Sequence, residues 1–177
     1  MKKGILVFIS ITALLVLAVA SMGGCAKVGT KIVENAIEKA AGDDVDIDLD
    51  SGGVTVKDEK GGQTEIGENA KLPDGWPSGT PLYPDSKLSM SSKSKNADTG
   101  KNEYYILGEV TKGSTEDVCN WYKDKYSSGW ELITDHYTEV EDGNFTVLGF
   151  NSEKYDVSIM IAQSEDAVTL TMTVMEQ

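Results

Sequence analysis

Four aspartates alternate with apolar residues in Asp44-Val45-Asp46-Ile47-Asp48-Leu49-Asp50. Carboxylate oxygens at that density are what a hard divalent cation takes as ligands. Asp46-x-Asp48-x-Asp50 has the spacing with which a calcium loop begins, but Ser51 stands where such a loop needs glycine, and Lys57 where it needs a bidentate glutamate. On a strand these aspartates share one face about 7 Å apart, too spread to chelate without help. The run therefore predicts a solvated acidic face, with a weak divalent-cation patch as the alternative. His136 is the one histidine in the chain; in a strand running from Trp130 it shares parity with Leu132 and Val140 and is expected to lean toward the core. One histidine, with no serine in an elbow motif, leaves little material for a triad. Glu139 and Glu141, beside Asp142-Gly143, could form an acid–base pair, but carboxylates flanking a hairpin turn are expected to be solvated. No catalytic residue, metal ligand set or cofactor site is expected, and the chain reads as a non-enzyme.

Composition narrows the remaining classes. The 177 residues carry 16 basic side chains, all lysine, against 29 acidic ones, a formal charge of −13. Nucleic-acid binding wants clustered positive charge and guanidinium forks on phosphate, so it is excluded as a partner class. Two cysteines, Cys25 and Cys119, are too few for a disulfide scaffold but could form one pair in an exported chain. Cys119 falls with Val118, Tyr122 and Tyr126 on the apolar stripe of an expected helix, which predicts core packing. Three tryptophans and seven tyrosines could stack on sugars or grip a peptide, but Trp121 and Trp130 flank that helix's end and read as core anchors.

The first 25 residues carry an address. Lys2 and Lys3 precede an apolar run, Ile5 to Ala20, broken only by Ser10 and Thr12, the layout of an export signal. Sixteen helical residues span about 24 Å, short of a hydrocarbon core of about 30 Å. Two cleavage sites compete. Ala18-Val19-Ala20 suits an ordinary signal peptidase and would release a soluble protein from Ser21. Met22-Gly23-Gly24-Cys25 resembles a bacterial lipobox, with Met22 where leucine is usual and small residues in the next two places. That resemblance implies diacylglyceryl attachment at Cys25, which becomes the first mature residue and then has no thiol to pair with Cys119. Two or more acyl chains make a stable anchor where one is marginal. Loss of Lys2 and Lys3 takes the formal charge from −13 to −15, which opposes contact with an anionic membrane, so the lipid alone holds the protein there.

The mature chain divides by pattern. Residues 25–71 hold the lipidated N-terminus, a short helix and the acidic hairpin. Thr30 can cap a helix over 30–41, with Ile32, Val33, Ala36, Ile37 and Ala40 on one stripe and Gly42 to stop it. A dozen residues is marginal for an isolated helix, so it should dock on something. Residues 44–66 read as a small hairpin or meander around Ser51-Gly52-Gly53 and Gly61-Gly62. All four prolines fall in 72–86, an extended connector that Trp76 and Tyr83 are expected to pin to the domain after it.

Residues 87–177 predict an α+β domain, an antiparallel sheet packed by one helix in the order β-β-α-β-β-β-β. Ser114-Thr115-Glu116-Asp117 is a capping-box form that opens the helix. Asp142-Gly143 marks a tight hairpin. Val168, Leu170, Met172 and Val174 alternate with threonines in the last strand, which predicts a sheet covered on one side only.

Taken together, the lipobox, the Leu72–Pro84 lead-in and the stretch from Trp121-Tyr122 through Gly129-Trp130 resemble small bacterial lipoproteins of unknown function. The resemblance implies a non-catalytic accessory of the cell envelope. It would sit lipid-anchored on the extracytoplasmic face of the cell membrane, or on an outer membrane, with an envelope protein or cell-wall partner and an oligomeric state left open. The alternative is a small-molecule or divalent-cation binder that uses the acidic hairpin.

Overall fold

The computed structural model describes residues 45–50, 53–58, 61–68, 70–141, 143–164 and 167–177, with side chains from residue 53 onward. The signal segment 1–24, Cys25 and the helix expected over 30–41 lie outside the described residues. The chain runs through strands β1 (Val45–Asp50), β2 (Gly53–Asp58), β3 (Gln63–Gly67), β4 (Ser86–Lys95) and β5 (Asn102–Val110). Helix α1 (Thr115–Lys125) follows, then β6 (Glu131–Val140), β7 (Gly143–Asn151), β8 (Tyr155–Ser164) and β9 (Ala167–Glu176). The described strands form one antiparallel sheet in the order β1-β2-β3-β4-β5-β9-β8-β7-β6. Among the described residues no helix is long and apolar enough to cross a membrane.

The topology follows from one crossing. After β5 the chain passes through α1 to the far edge of the sheet and returns hairpin by hairpin until β9 pairs with β5. Ser114 starts α1 with a reciprocal cap: its Oγ accepts from the Asp117 backbone N–H, and its own N–H donates to Asp117 Oδ2 at 2.9 Å. The hydrogen bonds from the Ser114 backbone and side chain hold the Asp117 carboxyl below the usual carboxylate range. Glu116 and Asp117 sit in the first turn and Lys123 and Lys125 in the last, each sign matched to the helix dipole.

Val118 and Tyr122 of α1 and its C-cap residue Tyr126 pack on Ile106, Leu148, Phe150, Ile159, Leu170 and Met172 of the sheet. Each such side chain contributes about 1.5–3 kcal/mol by leaving water. The threonines of β9 alternate with its buried residues and are only half-buried, so α1 covers one face. We call the other the open face.

The 72–86 connector differs from an extended chain. Its prolines bar ladder pairing, yet it closes a series of turns: Trp76 N donates to Pro73 O, Thr80 N to Pro77 O and Ser86 N to Tyr83 O, at 3.0–3.1 Å. These turns fold the segment back, so β3 and β4 lie side by side, with Gln63 opposite Lys93 and Ile66 opposite Met90. The acidic meander is thus hydrogen-bonded into the same sheet as the strands after residue 86.

Trp76 and Tyr83 do pin this segment. Trp76 meets Tyr104 edge-on at 5.9 Å and Tyr83 meets Trp121 edge-on at 5.4 Å. The Tyr83 N–H also donates to the Tyr122 hydroxyl at 3.1 Å.

Candidate functional site

The acidic run occupies β1, where Asp46 stands opposite Lys57, Asp48 opposite Thr55 and Asp50 opposite Gly53. Directly opposed residues share a face. Followed across the ladder, Lys57 pairs with Gln63, Gln63 with Lys93 and Lys93 with Tyr104, so the aspartate positions fall on the α1 side of the sheet. They lie at its far end, since α1 packs over β7 and β8. No group of three or more His, Cys, Asp or Glu among the described residues is placed to hold a metal ion.

His136 corrects the sequence expectation. It is exposed and lies on the open face, opposite Val147, with Nε2 3.0 Å from Thr138 Oγ1. The cause is a bulge between Leu132 and Thr134, which takes one residue out of register and breaks the parity shared by Leu132 and His136. Parity with Val140 survives, but Val140 is itself exposed on the same open face.

Glu139 and Glu141 are both exposed, and Glu139 Oε1 accepts from the Tyr137 hydroxyl at 3.1 Å. Near them, Lys123 Nζ and Asp135 Oδ2 pair at 2.7 Å; both side chains are well exposed, so the pair contributes little.

Cys119 is a free, buried thiol, as the helical stripe predicts. Burial raises its pKa, outweighing the hydrogen bond with Thr146 and the nearby Lys123. A thiol held protonated in this way is a poor nucleophile.

No protein-family model matches this chain, and no curated protein matches it. Its chemistry is carried by its own geometry.

The aromatic residues form a structural ladder. Tyr122 stacks with Tyr126, Tyr126 with Phe150, and Trp121 and Trp130 meet the two tyrosines edge-on at 4.8 and 4.7 Å. Desolvation pushes the phenols of Tyr122 and Tyr126 far above their ordinary value. The Tyr126 hydroxyl finds no hydrogen-bond partner among the described residues.

At the other end of the domain, Lys93 Nζ donates to Asp74 O at 3.0 Å and sits 5.7 Å from the Tyr104 ring centre. Glu176 closes β9 onto β5 by accepting from the Asn102 amide and backbone N–H. Those bonds, in that order, lower its pKa.

The surface that sequence reasoning missed is a row on the open face. Val54 stands opposite Ile66, Ile66 opposite Met90, and Met90 opposite Leu107. The row continues through Thr171 to Met160. Burial falls along it, from 4% exposed at Val54, through half-buried Ile66, Met90 and Leu107, to 41% at Met160. Alternation in β1–β3 marks which residues share a face. Only the β3–β4 register tells which face that is.

A second apolar concentration lies on edge strand β6, where Leu132, Ile133, Tyr137 and Val140 are all exposed. Glu131, Asp135 and Glu139 and the bulge interrupt it, features that discourage edge-to-edge pairing.

Proposed function

We propose that the chain is an extracytoplasmic lipoprotein, anchored through Cys25, that presents a non-catalytic α+β domain for binding or assembly with an envelope partner. The observation that carries this reading is the order Lys2-Lys3, the apolar run Ile5 to Ala20, and Met22-Gly23-Gly24-Cys25. The short helix over 30–41, ahead of the meander and the β-β-α-β-β-β-β order, belongs to the same reading. Exposed histidine and glutamates spread along one edge strand, and a thiol kept protonated by burial, are consistent with a binding role.

The test is the intact mass of the N-terminal peptide taken from the membrane fraction. A peptide beginning at acylated Cys25 supports the anchor. One beginning at unmodified Ser21 overturns it and makes the protein a soluble secreted one. Crosslinking in cells that captures one stoichiometric envelope protein supports the binding role, and capture of random neighbours counts against it.

A second reading, a divalent-cation patch, rests on the strand geometry that gives Asp46, Asp48 and Asp50 one face of β1. It requires a calcium-dependent rise in melting temperature that Asp46→Asn with Asp48→Asn abolishes. Flat melting curves across millimolar cation remove it.

A further inference from the structure

We propose that edge strand β6 docks an extended segment of another protein by strand addition, a segment that carries lysine or arginine opposite Glu139 and Asp135. This surface rests on the binding role proposed above, and not on the anchor at Cys25. The edge is uncovered. β6 ends the sheet and, among the described residues, pairs only with β7. Every second residue of an edge strand aims its N–H and C=O away from the sheet, so β6 offers a ladder without a partner. α1 packs over β7 and β8 and leaves the strand in water: Thr138 is half-buried and every other β6 residue is exposed. Leu132, Ile133, Tyr137 and Val140 are 47–58% exposed, and among the described residues no other element holds more than one exposed large apolar side chain.

The edge is also long enough to be read. Its bulge is confined to Leu132/Thr134, and from Thr134 to Val140 the register with β7 is unbroken. That stretch extends about 23 Å, more than a usual strand of about 5–6 residues.

Charge chooses the occupant. Asp135, Tyr137 and Glu139 share the α1 face of the strand, opposite Leu148, Thr146 and Asn144. A second copy would pair antiparallel about a two-fold axis, which sets one residue opposite itself. Centred on Asp135, Tyr137 or Glu139, that pairing puts acid directly against acid. Centred on His136 or Thr138, it puts Asp135 or Glu139 diagonal to its own copy. Like charges so placed oppose pairing, and the same carboxylates repel an anionic membrane. A cationic segment reverses the sign at these positions, and a formal charge of −13 draws it in at long range. Asp135 already has Lys123 at 2.7 Å, so Glu139 is the stronger anchor. The Tyr137 hydroxyl donates to one Glu139 oxygen at 3.1 Å, and its ring offers a β-branched residue a cross-strand neighbour.

The test adds three peptides to the full chain at millimolar concentration and reads amide hydrogen exchange. The first is Thr-Lys-Thr-Val-Thr-Lys-Thr, which reads the same in both directions and so meets both acids in either strand sense. The second has glutamate for each lysine. The third keeps the lysines but is N-methylated at its three central residues, which removes ladder donors and leaves the charge. The lysine peptide should protect alternate amides across 134–140, and the other two should not. Glu139→Lys should weaken the lysine peptide about fivefold and favour the glutamate peptide by a similar factor.

The three peptides are compared on the unaltered protein, so a misfolded variant does not affect that result. No protection by the lysine peptide overturns the proposal, as does equal binding of the methylated one, which would show attraction by charge alone. Equal binding of the glutamate peptide overturns it too. Should the lysine peptide fail while crosslinking in cells still captures one stoichiometric envelope protein, this surface falls and the binding role stands. Failure of both removes the role as well.

Discussion

The two ends of the sheet use the same alternation to opposite effect. In β8 and β9, every second residue is apolar and lies under α1, where Ile159, Ile161, Leu170 and Met172 are fully buried. In β2 the apolar residues alternate as well, yet Val54 and Val56, with Ile66 of β3, face away from α1. The helix-covered end builds a core from both layers, with aromatic rings filling the space between them. The meander presents a row of aliphatic residues that needs a different cover. Alternation makes a strand two-sided, but the side that becomes core depends on what packs there. One sheet can therefore bury opposite faces at its two ends.

Substitutions at matched positions sharpen that contrast. Ile159→Ala should cost about 2–5 kcal/mol in urea denaturation, because a fully buried branched side chain leaves a cavity beneath α1. Val54→Ala should cost less, about 1–2 kcal/mol for two methylene equivalents at about 0.8 each. No loss at all for Val54→Ala would mean that the meander's apolar face has no cover, and the comparison would break there.

Alkaline pH should weaken the α1 end most, with a further loss from Tyr104, where burial also raises the phenol. The phenols of Tyr122 and Tyr126 titrate near 10.0 when unfolded and well above that when buried. Above pH 10 the unfolded chain releases protons that the folded chain keeps, so stability is complete below that pH and falls as pH rises further. The slope is about 1.4 kcal/mol per pH unit for each phenol. Melting temperature measured from pH 8 to 11.5 should hold and then drop, and replacing both tyrosines with phenylalanine should flatten the drop. No tyrosine lies in β1–β3, so the meander contributes nothing to it.

The same two rings predict a smaller, opposed pair of effects. Tyr122→Phe should cost about 0.5–1.5 kcal/mol by removing the acceptor of the Tyr83 N–H. Tyr126→Phe should be neutral or stabilising, since its buried hydroxyl has no partner among the described residues. Denaturation midpoints of the two variants side by side check the sign. Smallest of all, His136→Ala should stay within about 0.5 kcal/mol of the wild type, as expected of an exposed edge-strand residue. A larger loss would show that the edge of β6 is covered in the folded protein.

Much of this architecture is legible residue by residue. The Ser114–Asp117 cap and the Val168–Val174 alternation each specify their element through local chemistry, and each element forms where that chemistry places it. The burial of Cys119 and Tyr122 follows from helical spacing in the same way. The fate of His136 was not legible, because a one-residue bulge in β6 reverses parity and leaves no mark in composition. The path of the connector was hidden too: four prolines exclude regular structure but do not choose between an extended chain and a series of turns.

The residues themselves carry the lysine-led apolar run of Ile5 to Ala20, the strand and helix periods and the acidic bias, since each follows from local composition and spacing. Pairing between distant strands had to be formed before three other things could be known. These are that β3 joins β4, that Asp46 of β1 stands opposite Lys57, and that Val54, Ile66, Met90 and Leu107 line up in one row. The reason is geometric: a strand's side chains repeat every two residues whatever its neighbours are. Register with a partner strand, set by hydrogen bonds between residues far apart in the chain, alone assigns each half of that repeat to a face.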